Sequence, residues 1–171
     1  MLNALSPDAL LALSLATLPA LPSPTLAVPE GNQLAFHADA TGVQIYACAA
    51  NAAGVAWAFQ GPEASLRDQH GHVVFKHYAG PTWQSVSDNS KVVASKVSDF
   101  SANPKAIPEL LLRASSHEGA GVLADVTYIQ RLKTSGGLAP SAGCDAAHVG
   151  ATVRIAYSAS YFFYRAKLEP K

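Results

Sequence analysis

From Gln33 onward the chain is written in short runs whose side chains alternate, and this period of two constrains its fold more than any other feature. It is clearest in ATVRIAYSASYFFYRA, residues 151–166. There Val153, Ile155, Tyr157, Ala159, Tyr161 and Phe163 fall on one face and Arg154, Ala156, Ser158, Ser160, Phe162 and Tyr164 on the other. Successive Cβ atoms of a strand point to opposite sides, so such a run gives a sheet one largely apolar side. Comparable runs occur at QLAFHA (33–38), GVQIYACAA (42–50), GVAWAFQG (54–61), GHVVFKHY (71–78), TWQSVS (82–87) and KVVASKVSDF (91–100). Between them ATG (40–42), NAAG (51–54), RDQHG (67–71) and SDNS (87–90) each offer Gly, Asn or Asp for a tight reversal. Strands joined so closely pair antiparallel, which predicts an all-β fold, an antiparallel β-sandwich or β-barrel.

The second half follows the same grammar with one interruption. In NPKAIPELLLRASSHEG, Pro104 and Pro108 oppose a long helix, and ELLLRA is expected as a strand. GVLADVTYIQRLKT (121–134) is rich in β-branched residues, whereas GGLAPSAGCDAAHVG (136–150) reads as a long loop. With 32 alanines the interior would be thin. The rings of Phe36, Tyr46, Trp57, Phe59, Phe75, Trp83, Tyr128 and the YFFY run must therefore supply much of the buried area, at roughly 150–250 Å² each.

Residues 28–171 are expected to form a single β domain, preceded by a different kind of segment in residues 1–27. ALLALSLATLPAL (9–21) is apolar and uncharged, and TLA before Val28 resembles a small-residue cleavage site, as in a leader peptide. The same region opens with Ser6, Pro7 and Asp8, which suit the cap and first turn of a short N-terminal helix, so both readings stay open. The apolar stretch is too short for a transmembrane segment. LPALPSPTLAVPEGN then predicts an extended Pro-rich arm.

Twelve basic and twelve acidic side chains balance over the chain, but residues 1–66 contain four acids and no base. The bases that follow are scattered singly, without the dense stripe a phosphate backbone requires, so nucleic acid is not an expected partner. Cys48 and Cys144 stand 96 positions apart with no metal-ligand spacing, which leaves a disulfide, two buried thiols or one reactive thiol. An oxidising, secreted or periplasmic setting favours the disulfide, which in the chain-entropy model restrains the unfolded state by roughly 4–5 kcal/mol.

Motifs of the common enzyme classes are missing: there is no GxSxG elbow, GxxxxGK loop, HExxH helix or dinucleotide-binding GxGxxG. The nearest approach to a metal site is His70, His72 and His77 beside Asp68. His70 and His72 share a strand face and suit a transition metal, but His77 lies an odd step away, and an exposed hairpin turn explains RDQHGH without any metal. HYAGPTW is more suggestive. It gathers His77, Tyr78 and Trp83 around one turn, where polar-tipped rings can line a pocket mouth and an imidazole can serve as acid or base. Arg131 and Lys133 before TSGG offer a weaker anion-holding loop.

Seven blocks in order, GVQIYAC (42–48), WAFQGPEASLRDQHG (57–71), KHYAGPTW (76–83), IPELLLRA (107–114), VTYIQRLKTSGGLAP (126–140), Cys144 and YSASYFFYR (157–165), resemble the family called domain of unknown function 3455. The resemblance implies export and a β fold, with Cys48 and Cys144 at the family's cysteine positions and His77 to Trp83 on its H-[YF]-x-G-P-T-W pattern. It supplies no settled activity. Some members carry a malate dehydrogenase label, which a short chain without a dinucleotide fingerprint does not support. The chain departs from the family pattern at SDNSKV after Trp83 and at Glu109, both expected near the pocket.

The function expected from these readings is an exported β domain that binds a small molecule or a surface partner near Gln44, Tyr46, His77, Tyr78 and Trp83, without a cofactor. Two alternatives are a small metal-assisted or acid–base enzyme centred on His77, and a structural protein with no pocket.

Overall fold

A computed structural model describes residues 17–168. Eight strands follow one another around a closed, up-and-down antiparallel barrel: β1 (Asn32–Asn51), β2 (Gly54–Arg67), β3 (Val73–Tyr78), β4 (Thr82–Ser85), β5 (Lys91–Phe100), β6 (Glu109–Glu118), β7 (Val126–Gly136) and β8 (Thr152–Ala166). Each strand pairs with its sequence neighbours, and β8 returns to β1 from Asn32↔Ala166 through Ala47↔Thr152. No helix beyond the short 3-10 turn Pro24–Leu26 occurs among the described residues, and none there is long and apolar enough to cross a membrane. The leader-or-helix question of the first residues lies for the most part outside the described residues.

Alternation decides the interior. Tyr157, Ala159, Tyr161 and Phe163 of β8 are buried inside with Ala38 and Ala40 of β1, Phe75 of β3, Trp83 of β4 and Ile129 of β7. The rings of Phe36, Phe75 and Phe163 lie within 5.3 Å of one another, centroid to centroid, and fill the end of the barrel formed by the start of β1. The alternate residues Phe162 and Tyr164 point outward, yet they too are buried. Their cover is the Pro-rich arm. Ser23 caps the Pro24–Leu26 turn, which drops a fully buried Leu26 onto Leu111, Leu132, Phe162 and Tyr164. Gln130 Nε2 donates to the Leu26 carbonyl and Ser98 Oγ to that of Thr25.

The expected turn at ATG does not exist: β1 runs unbroken through it for 20 residues. Gly42 is needed there for closeness rather than for reversal, because a Cβ on it would stand 2.5 Å from the Cβ of Ala64 on β2. The other three turns form as expected, with Asn89 in the left-handed region (φ 60°) between β4 and β5. Cys48 and Cys144 are bonded, with Cα atoms 5.3 Å apart, and tie β1 to the long loop before β8.

Strand lengths are uneven in a way that shapes the site. β3 and β4 have six and four residues, against 14 in β2 and 10 in β5. β2 pairs with β3 only from Ala64 onward, and β4 with β5 only over Lys91–Val93. The wall of the barrel is therefore notched above the β3–β4 turn, between the first half of β2 and the second half of β5.

Candidate functional site

Behind this notch lies a cavity of about 330 Å³. Its rim carries Phe59, Gln60, Gly61 and Pro62 of β2, Gly80 and Pro81 of the β3–β4 turn, and Lys96 and Asp99 of β5. Ile107, Leu110, Leu112 and Tyr161 give it apolar walls, and Gln44, Tyr46, His77, Trp83 and Arg131 add polar groups. An extra residue bulges out of β2 at Gln60, between the pairs Ile45↔Gly61 and Tyr46↔Phe59, and such a bulge bends the strand at the rim.

His77 and Trp83 are directly opposed on β3 and β4. Their rings stack 4.1 Å apart and 9° from parallel, with Tyr161 edge-on to both. Both residues are buried. His77 Nδ1 donates to the Thr82 carbonyl at 2.9 Å, which fixes the tautomer and leaves Nε2 a lone-pair acceptor. Burial, with a smaller contribution from the charge of Arg131, pushes the His77 imidazole down to about 3. It is neutral near pH 7 and a poor proton acceptor there.

Arg131 enters the barrel because it alternates with Ile129, in register with Leu110 and Tyr161. The segment before β6 holds it. Nε and Nη2 of Arg131 both donate to the carbonyl of Pro108, and that segment is pinned in turn by Thr134 Oγ1 to the Ile107 carbonyl and by Ile107 N–H to that of Gly136. Among the described residues no carboxylate lies within ion-pairing distance of this guanidinium. The rim ammonium of Lys96, by contrast, is paired with Asp99.

The turn after β7 packs behind Gln44, Tyr46 and Ile107. Tyr46 donates to the Gly137 carbonyl at 2.6 Å, and burial raises the Tyr46 hydroxyl above its ordinary range. Gly137 has φ 83°, and a Cβ on it would come within 3.1 Å of Gln44 Cγ and 3.0 Å of Ile107 Cγ2. Two buried donors among the residues of this cavity have no partner: Gln44 Nε2 and Trp83 Nε1. A buried polar group left unsatisfied costs about 1–3 kcal/mol, so each calls for a physical reason such as a bound water, ion or ligand; a third such atom, Glu109 Oε2, belongs to a residue outside the cavity lining.

Of the residues singled out in the sequence, Gln44, Tyr46, His77 and Trp83 come together in this cavity. Tyr78 does not. It follows His77, so alternation turns it to the outer face, where its hydroxyl donates to Gln84. Nor are the three histidines one cluster. His70 and His72 sit on the exposed β2–β3 turn, with Asp68 accepting their backbone N–H groups, at the opposite end of β3 from the buried His77. No group of three potential metal ligands occurs among the described residues.

Arg131 belongs to the site through strand parity rather than through the glycine loop after it; its alternation with Ile129 was the available signal. The two departures from the family pattern also lie elsewhere. The SDNSKV turn is at the far end of β4, where Asp88 binds Ser90 and the Val122 N–H. Glu109 is on the outer face, where it accepts the Lys133 N–H that a bulge in β7 frees from the ladder.

The family model described as protein of unknown function (DUF3455) matches residues 29–165. This chain is a DUF3455 protein. No curated protein and no solved structure matches it. The matched span begins within the arm after the Pro24–Leu26 turn and ends near the close of β8, so the DUF3455 unit is the whole barrel with its cavity and its disulfide.

Proposed function

We propose that this DUF3455 barrel is a binding protein that holds a small molecule in the cavity behind the His77–Trp83 pair. One observation carries the reading: Gln44 Nε2 and Trp83 Nε1 are buried without partners among residues that line a cavity of about 330 Å³. Ligand sites are concave, mainly apolar and furnished with a few convergent polar groups, and roughly 300 Å³ is the lower end of their usual range. The acid–base alternative loses support from His77, whose imidazole sits at about 3 and has its Nδ1 committed to Thr82. The Cys48–Cys144 bond supports a place in an oxidising compartment, secreted or periplasmic.

Native mass spectrometry of protein secreted from its own host, followed by organic extraction, tests the reading. A stoichiometric small molecule that is absent from a Leu110→Trp variant of intact fold, in which a lining side chain is enlarged, supports it. Empty protein that also fails to bind any member of a diverse small-molecule library in calorimetry rejects it.

A further inference from the structure

We infer that the ligand is a compact monocarboxylate with an apolar body, its carboxylate seated against Arg131. This rests on the binding reading above and names the chemistry of the same cavity.

Arg presents five N–H donors in a rigid fork. Nε and Nη2 each direct one at the Pro108 carbonyl, so both protons on Nη1 and one on Nη2 are left, with the Tyr161 hydroxyl beside them as a neutral partner that a carboxylate would displace or share. That remaining edge has the two parallel donors that a carboxylate engages bidentately. The Pro108 contacts hold the fork still before any ligand arrives, which lowers the ordering cost of binding.

Charge points the same way. No carboxylate of the described residues pairs with Arg131, and Asp99, the acid among the cavity residues, is taken by Lys96. The positive charge is felt by the surrounding rings: it acts on Tyr46, His77, Tyr157 and Tyr161 alike. His77 is neutral and cannot answer it. The unpartnered groups nearby, Gln44 Nε2 and Trp83 Nε1, are both donors, so the polar part of the cavity offers hydrogens and asks for oxygen acceptors. The walls, from Ile107, Leu110, Leu112 and Tyr161, are apolar and suit a hydrocarbon or aryl body.

Calorimetry with trans-cinnamate and octanoate, each beside its uncharged primary amide, reads the charge directly. The acids are expected to bind at least tenfold more tightly than the amides, and Arg131→Met is expected to erase that difference while the amides still bind. Gln44→Glu gives a second arm independent of the stability of Arg131→Met: a carboxylate placed within the cavity should weaken the acids by tenfold or more and leave the amides within about threefold. Equal affinity of acids and amides for the parent protein overturns the carboxylate assignment while the binding reading stands. Failure of acids and amides alike to bind at millimolar concentration overturns the carboxylate assignment, and the binding reading falls with it only when the library screen fails as well.

Discussion

The imidazole of His77 and the indole of Trp83 face each other across β3 and β4, 4.1 Å apart and nearly parallel, inside the barrel wall. A stack so placed needs an uncharged imidazole, because a buried cation beside the Arg131 guanidinium would have no counter-charge.

Acid should therefore loosen the fold through His77. The folded imidazole titrates at about 3, against 6.5 when free. Above pH 6.5 neither state holds the extra proton and the full stability is present. As the pH falls below 6.5 the unfolded chain takes up a proton that the native state refuses, so stability drops by up to about 1.4 kcal/mol per pH unit. Urea unfolding between pH 6.5 and 5.0, above the ordinary carboxylate range in which the unfolded chain begins to protonate Asp68, Asp88 and Asp145, isolates the effect. His77→Phe is expected to flatten the slope by about one proton, and an unchanged slope would exclude a buried neutral imidazole.

Reduction of the Cys48–Cys144 bond should cost stability without unmaking the barrel. The bond spans a sequence separation of 96, for which the chain-entropy model gives about 4–5 kcal/mol. A reducing agent, or paired Cys→Ala changes, should lower the urea midpoint by a matching amount with the far-ultraviolet dichroism of a β protein retained. No shift in midpoint would mean that the bond is absent in solution.

Gly137→Ala addresses the packing behind Gln44 and Ile107. The new methyl must adopt φ 83° and press on Gln44, Ile107 and Tyr157. Overpacking of this kind costs about 1–3 kcal/mol, with the left-handed backbone adding to it. Thermal unfolding should report the loss. A melting temperature equal to that of the parent would show that these neighbours yield and that the close packing at Gly137 is not needed.

The arm makes the fourth test. Leu26 is fully buried against Leu111, Leu132, Phe162 and Tyr164, so Leu26→Ala should cost about 2–5 kcal/mol. The uncovered rings should bind a hydrophobic dye that the parent does not. A neutral substitution with no dye binding would place the arm off the barrel in solution.

The sequence was legible where burial follows period two without interference. β8 reads directly, as does the hairpin from Val73 to Ser85, and the short reversals carry their own Asn, Asp and Gly signals. Three kinds of feature were not legible. A glycine required by the closeness of another strand looks the same as one required by a turn, which is why Gly42 suggested a break in β1. A charged side chain is counted as solvated by default, and so Arg131 suggests no more than a weak anion-holding role before the TSGG loop although its parity matches that of Ile129. Burial from outside is the third kind: nothing in YFFY tells that its second face is covered by a proline-rich arm more than 120 positions earlier. Of the expected residues, Gln44, Tyr46, His77 and Trp83 lie around one cavity, and Tyr78 turns to the outer face because it is one step along the strand from His77.

The brevity of β3 and β4 reaches beyond the shape of the wall. A container filled through its end must swallow its cargo whole, but a gap in the side lets the guest trail out between Phe59 and Lys96. For the proposed ligand, the internal volume would then limit the part that docks against Arg131, while the remainder could extend past the rim residues.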